Sequence, residues 1–144
     1  MNKQVQLGLL GEALVANHFG VELNENFYDT HKDLVVDGRT IEVKTQNRHP
    51  TKQLLTISAP NGNIGLSNFA KCFHVDHLIF VEYDSSDIIK VWECVDRMNF
   101  KTYTTKNGKA MVGFPIEDMK LLKEHTDPQL ARQMRSLSSS SAFN

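Results

Sequence analysis

Between Gln4 and Phe19 the apolar residues return at helical spacing, and at ~100° per residue Val5, Leu9, Ala16 and Phe19 fall in one sector. Glu12 falls in the same sector, while Gln4, Gln6, Asn17 and His18 lie elsewhere on the wheel. The period then changes to two. In DLVVDGRTIEVKTQ the pair Asp37-Gly38 signals a two-residue turn between alternating strands, with both central residues at positive φ. That turn sets Val36 opposite Arg39, Val35 opposite Thr40, Leu34 opposite Ile41 and Asp33 opposite Glu42. Because residues two apart share a face, Asp33, Glu42, Lys44 and Gln46 line one side of the hairpin, and Leu34, Val36, Ile41 and Val43 line the other.

Further along, Leu54 to Ser58 predicts a third strand, followed by the turn-rich loop APNGNIG. Ser67 can cap a short helix through about His74, and the run LIFV after His77 predicts a buried strand. Ile88 to Cys94 should pair with it across the turn Asp84-Ser85-Ser86-Asp87. Asn107-Gly108 marks a second hairpin between Lys101–Lys106 and Lys109–Phe114. Its lysines could cover DNA as a basic flap or simply discourage edge pairing. Pro115 is expected to open a helix through about Glu124, and Asp127-Pro128 has the cap and first-turn signature of another. The closing LSSSSAFN is low in complexity. The expected class is α/β (α+β), with the order αβββαβ and an added strand before the C-terminal hairpin and helices.

The polar side of the first hairpin carries the candidate chemistry. Carboxylates on directly opposed strand residues have Cβ atoms about 4.5–5.5 Å apart and repel. A Mg²⁺ ion would offset that repulsion, because it takes carboxylate oxygens, keeps several waters and is commonly completed by a phosphate. Lys44 adds a compact positive charge beside them. The plainer alternative is a solvated face on which Lys44 neutralises two acids. Glu12 bears on the choice, since a half-buried carboxylate in an apolar stripe calls for a partner. Gly8 and Gly11 on the same helix imply close packing against another element, and the sheet bearing Asp33 and Glu42 is the natural one.

A helix with Glu12, then Asp33, then Glu42-Val43-Lys44 resembles the PD-(D/E)XK nuclease superfamily in order and in the hairpin that carries the motif. Residue by residue, Asp33 takes the place of the motif Asp, Glu42 of the second acid, Lys44 of the motif Lys, and Glu12 of the helix acid found in many members, including Holliday-junction resolvases. Lys32 rather than Pro precedes Asp33. The resemblance spans roughly Gln4 to Cys94 and implies a restriction-endonuclease-like core with a central mixed sheet flanked by helices. Residues 1–125 would form the nuclease domain, and 126–144 a C-terminal helix and Ser-rich tail. The implied activity is Mg²⁺-dependent hydrolysis of DNA phosphodiesters, with Mn²⁺ as a substitute. Asp33, Glu42, Glu12 and the Val43 carbonyl would hold metal, Lys44 would act on the attacking water, and Gln46 would orient the phosphate or a water.

Composition narrows the partners. The chain has 144 residues, 40% of them hydrophobic, enough for one core. Sixteen Lys and Arg against 17 Asp and Glu give a formal net charge of −1, so DNA contact has to be local. Lys44, Arg48, His49 and Lys52 follow one another without an intervening acid and are the candidate phosphate contacts. A zinc site from Cys72, His74, His77 and Cys94 is a competing possibility, though the spacing matches no familiar finger. Cys72 and Cys94 are too few for a disulfide framework. The loop APNGNIG lacks the Gly-Lys-Ser/Thr ending of a P-loop, so no nucleotide cofactor is expected. Without an apolar run long enough for a bilayer or a signal-peptide layout, the expected setting is intracellular, cytoplasmic, with no membrane association. Cutting both strands with one site per chain would call for a homodimer. A junction resolvase or structure-selective repair nuclease is the alternative within this class, and a non-catalytic nucleic-acid-binding module is the alternative outside it.

Overall fold

The computed structural model of the chain describes residues 2–23, 34–58 and 72–138. Helix α1 spans Lys3–His18, and its first turn is closed by Asn2, whose side chain accepts from the Val5 amide at 2.8 Å. Strands β1 (Leu34–Val36) and β2 (Arg39–Gln46) form the predicted hairpin in the predicted register, Leu34 opposite Ile41 and Val36 opposite Arg39. Asp37 and Gly38 have φ of 51° and 77°, so both turn residues adopt the left-handed conformation that an Asp-Gly turn anticipates. Strands β3 (Leu54–Ser58), β4 (His77–Glu82) and β5 (Ile88–Cys94) follow, with residues 72–74 helical just ahead of β4. The second hairpin is β6 (Lys101–Thr104) and β7 (Ala110–Pro115). It is followed by β8 (Met119–Thr126) and helix α2 (Pro128–Leu137).

The strands form two sheets. The first is mixed, with five strands in the order β1-β2-β4-β5-β8, and β2 and β4 run parallel. The second has three strands in the order β3-β7-β6. This corrects two expectations. β3 does not extend the β1–β2 hairpin but pairs with β7, so the second hairpin builds a sheet of its own. Residues 115–124 are not a helix. Pro115 ends β7 opposite Leu54, Ile116–Asp118 form one 3₁₀ turn, and Met119 begins β8, which pairs antiparallel with β5. Its helix-like composition yields to strand pairing, a case of tertiary context overriding propensity. The register slips between Val91 and Trp92, and this bulge lets Leu122 pack on the core from an edge strand.

Each sheet face has its own core. Ile41 and Val43 of β2 and Ile79 and Val81 of β4 join Leu7, Leu14 and Val15 of α1 and Ala131 and Met134 of α2. Leu78 and Phe80 on the opposite face pack with Leu55, Ile57, Val112 and Phe114 of the second sheet. Five strands are thus sandwiched between two helices and three strands. Helix α2 begins as anticipated, with Asp127 accepting from the Leu130 amide at 3.0 Å and proline in the first turn. No helix among the described residues is long and apolar enough to cross a membrane.

Candidate active site

The parallel register places Glu42, Lys44 and Gln46 of β2 beside Leu78, Phe80 and Glu82 of β4, all facing the second sheet. β1 pairs only with Arg39 to Ile41. Among the described residues, the second half of β2 therefore has an open edge, and a cavity of about 530 Å³ forms there. Glu42, Val43, Lys44 and Gln46 line it from β2, Gly8 and Glu12 from α1, and Thr56 and Ser58 from β3. Lys44 Nζ stands 3.4 Å from Glu42 Oε1, both side chains partly exposed. The helix acid, the strand acid and the lysine thus border one space.

One glycine explains how α1 comes to this position. A Cβ on Gly11 would lie 1.7 Å from Thr45 Oγ1, so only glycine lets the helix seat on β2 there. A Cβ on Gly8 would meet nothing within 4 Å, so the close-packing expectation holds for Gly11 and not for Gly8. The buried face of α1 runs through Leu7, Gly11, Leu14 and Val15. Glu12 sits to one side of that face, partly buried, where the helix borders the cavity.

Other candidate residues have different positions. Asp33, which the hairpin register would set opposite Glu42, lies outside the described residues, as do Ser67 and the whole APNGNIG loop. Val43 points its side chain into the core, and the residue also borders the cavity. The Gln46 amide is occupied. Its Nε2 donates to the Thr56 carbonyl at 2.7 Å and its Oε1 accepts from the Thr56 amide at 2.6 Å, so it splices β3 to β2 where no backbone ladder joins them. Arg48 is occupied too, donating through Nε to Glu82 Oε2 at 2.6 Å and through a terminal nitrogen to Oε1 at 3.1 Å. Its other terminal nitrogen donates to Gln53. The Glu82 carboxylate at its side holds the guanidinium pKa above its ordinary value, against the opposing effect of burial. The expected phosphate ligand is instead a fastener for the 47–53 loop. His49 Nδ1 accepts from the Lys52 amide at 3.1 Å, and Lys52 places its ammonium over the Tyr103 ring.

The zinc alternative finds no counterpart among the described residues, where no group of three His, Cys, Asp or Glu side chains is placed to hold an ion. His77 pairs with Glu93 at 2.8 Å. Cys72 and Cys94 are buried, and burial pushes the Cys94 thiol up to about 12.

The sequence reading missed the cluster around Glu82, which is 5% exposed and also accepts from Trp92 Nε1 at 2.9 Å. It also missed Thr56 and Tyr103. The only local signal was one charged residue ending an otherwise apolar strand, since Glu82 stands 34 positions from Arg48. No family model, curated protein or solved structure matches this chain.

Proposed function

We propose that the protein is a Mg²⁺-dependent DNA endonuclease that hydrolyses phosphodiester bonds at the cavity beside β2. The observation that carries this reading is the 3.4 Å pairing of Lys44 with Glu42 on a wall shared with Glu12. Two carboxylates and a backbone carbonyl are hard oxygen donors, and a cavity of about 530 Å³ has room for a cation with its waters. The donor set therefore fits Mg²⁺, which Glu42, Glu12, the Val43 carbonyl and Asp33 would hold. When bound, it would neutralise charge on the scissile phosphate and acidify a water. Lys44 would position that water, help take its proton and steady the developing negative charge. Gln46 would act at a distance, by holding β3 and the cavity wall in place. Two copies would be needed to cut both strands of a duplex.

Incubating the purified protein with supercoiled, linear, single-stranded and four-way-junction DNA, in Mg²⁺ or in chelator, tests the proposal. Metal-dependent cleavage that disappears in Glu42→Ala and Lys44→Ala supports it, and preference for the junction would mark a resolvase. One observation favours the non-catalytic module: among the described residues, no three His, Cys, Asp or Glu side chains are grouped to hold an ion. Binding without cleavage in both Mg²⁺ and Mn²⁺ would select that reading.

A further inference from the structure

The second sheet carries a hollow on the far side of Thr56 from the cavity. On edge strand β6, Lys101 and Tyr103 are two residues apart and share a face. Their partners on β7 are Gly113 and Met111. Gly113 contributes no side chain, and Leu54 of β3 leans into its place, since a Cβ there would lie 2.5 Å from Leu54 Cδ1. The result is a pocket of about 250 Å³ lined by Leu54, Lys52, Lys101, Thr102 and Tyr103. Leu54 gives it an apolar floor, Tyr103 an aromatic wall and two lysines its charge. Among the described residues, no carboxylate lines it.

The hollow and the cavity share a wall. The Thr56 side chain lies beside the Tyr103 hydroxyl, and Thr56 Oγ1 donates to Gln46 Oε1 at 3.2 Å. Thr56 and Met111, the cross-strand partner of Tyr103, both line the cavity. A polymer leaving the cavity over this wall reaches the Tyr103 ring next.

We propose that this hollow receives a single, unpaired nucleotide of a DNA strand, with the base stacked on Tyr103 and the flanking phosphates on Lys52 and Lys101. The choice of DNA rests on the nuclease reading above, and the hollow narrows the substrate to DNA with a single-stranded segment beside the cut. An aromatic face serves any base, but a base inside a duplex is already stacked and cannot enter a one-base pocket without leaving its neighbours. Lys52 now stands 5.4 Å from the Tyr103 ring centroid. Its flexible stem lets the ammonium give up that face to a base and turn to a phosphate.

Fluorescence anisotropy with labelled oligonucleotides in chelator, where cleavage cannot occur, tests this apart from catalysis. Single-stranded DNA and a blunt duplex are titrated against the wild-type chain, Tyr103→Leu, Tyr103→Phe and the double variant Lys52→Ala, Lys101→Ala. Tyr103→Leu should weaken single-strand binding by about 5- to 100-fold, as loss of one stacked base does, and leave the duplex within about threefold. Tyr103→Phe, which keeps the ring, should bind like the wild type and shows that the sheet survives. The double lysine variant should reduce the salt slope on the single strand by about 1.4, about 0.7 for each phosphate that is no longer neutralised. Single-strand binding that is absent in the wild type, indifferent to Tyr103→Leu, or weakened equally on duplex overturns the inference. Cleavage of blunt duplex by Tyr103→Leu at the wild-type rate would then leave the nuclease reading standing. Single-strand binding that Tyr103→Leu abolishes in a chain that never cleaves would leave the hollow standing without it.

Discussion

Two acid–base pairs lie on the same face of the five-stranded sheet and do opposite things. Glu42 and Lys44 sit two residues apart on β2, in single contact at 3.4 Å, beside a cavity. Glu82 and Arg48 join β4 to the loop after β2 through two contacts of 2.6 and 3.1 Å, and Trp92 adds a third donor to the same carboxylate. A carboxylate with three donors has little capacity left for a ligand. One that meets, among the described residues, a single ammonium on a cavity wall retains lone pairs for a cation or water. On the proposed reading the first pair serves chemistry, while the contacts of the second serve architecture, although each is an acid next to a base.

The sharpest way to break this contrast is to remove one member of each pair. Lys44→Ala should lower metal-dependent DNA cleavage by about 10³-fold, the loss seen when a single preorganised charge-stabilising donor is deleted. Urea denaturation of the same variant should show a stability change within about 1 kcal/mol, because partly exposed ion pairs contribute little. A Lys44→Ala variant that still cleaves at the wild-type rate would remove the functional half of the comparison.

Glu82→Ala tests the other half. It leaves the Arg48 guanidinium and the Trp92 N–H without their acceptor in a part-buried setting, and removing one member of a buried pair costs about 3 kcal/mol. The expected signature is a lower urea midpoint with unchanged slope. Glu42→Ala should change stability by less than about 1 kcal/mol. Equal destabilisation by the two alanines would mean that both pairs are structural.

The glycines of α1 give a smaller effect in each direction. Gly11→Ala drives a methyl into Thr45 and should cost about 2 kcal/mol as overpacking. Gly8→Ala meets open space and should stabilise the helix by up to about 1 kcal/mol. If both destabilise alike, the seating of α1 on β2 is not set by Gly11, and the position of Glu12 loses its explanation.

What could be seen in the sequence follows the range of the interactions. The β1–β2 hairpin was legible because its turn, register and two faces are fixed within fourteen residues, and the Glu42–Lys44 pair came with it. Helix α2 announced itself through Asp127 and Pro128. The partition into two sheets was not legible, because β3 finds β7 more than fifty residues away and nothing in LLTIS specifies that partner. β8 was hidden for a related reason. IEDMKLLKE carries good helix formers, and only the exposed edge of β5 makes it a strand. Arg48 followed Lys44 in an acid-free run that resembled a phosphate track, but its carboxylate arrives from β4 after the chain has folded.

The mildest test concerns the loop that Arg48 fastens. His49 Nδ1 accepts from the Lys52 amide at 3.1 Å and the Thr51 amide at 3.3 Å, so that nitrogen has to be unprotonated in the folded loop. Burial first, and the Lys52 charge second, lower the imidazole pKa below its ordinary 6.5. Because the neutral ring is the favoured form in the fold, its contribution is complete above the unfolded value. It is lost as pH falls from there through the folded value, once the unfolded chain takes up the proton more readily. An NMR titration from about pH 7.5 to about 5 should show the Thr51 and Lys52 amides shifting together with the imidazole, with a midpoint below 6.5. The Arg48 Nε–H should hold its position, since the two bonds of the guanidinium to Glu82, and not the histidine turn, keep the side chain in place. A midpoint above 6.5 would contradict burial and the Lys52 charge as the dominant influences on the imidazole. An Arg48 signal that moves with His49 would show the loop to be held by the turn and not by the buried pair.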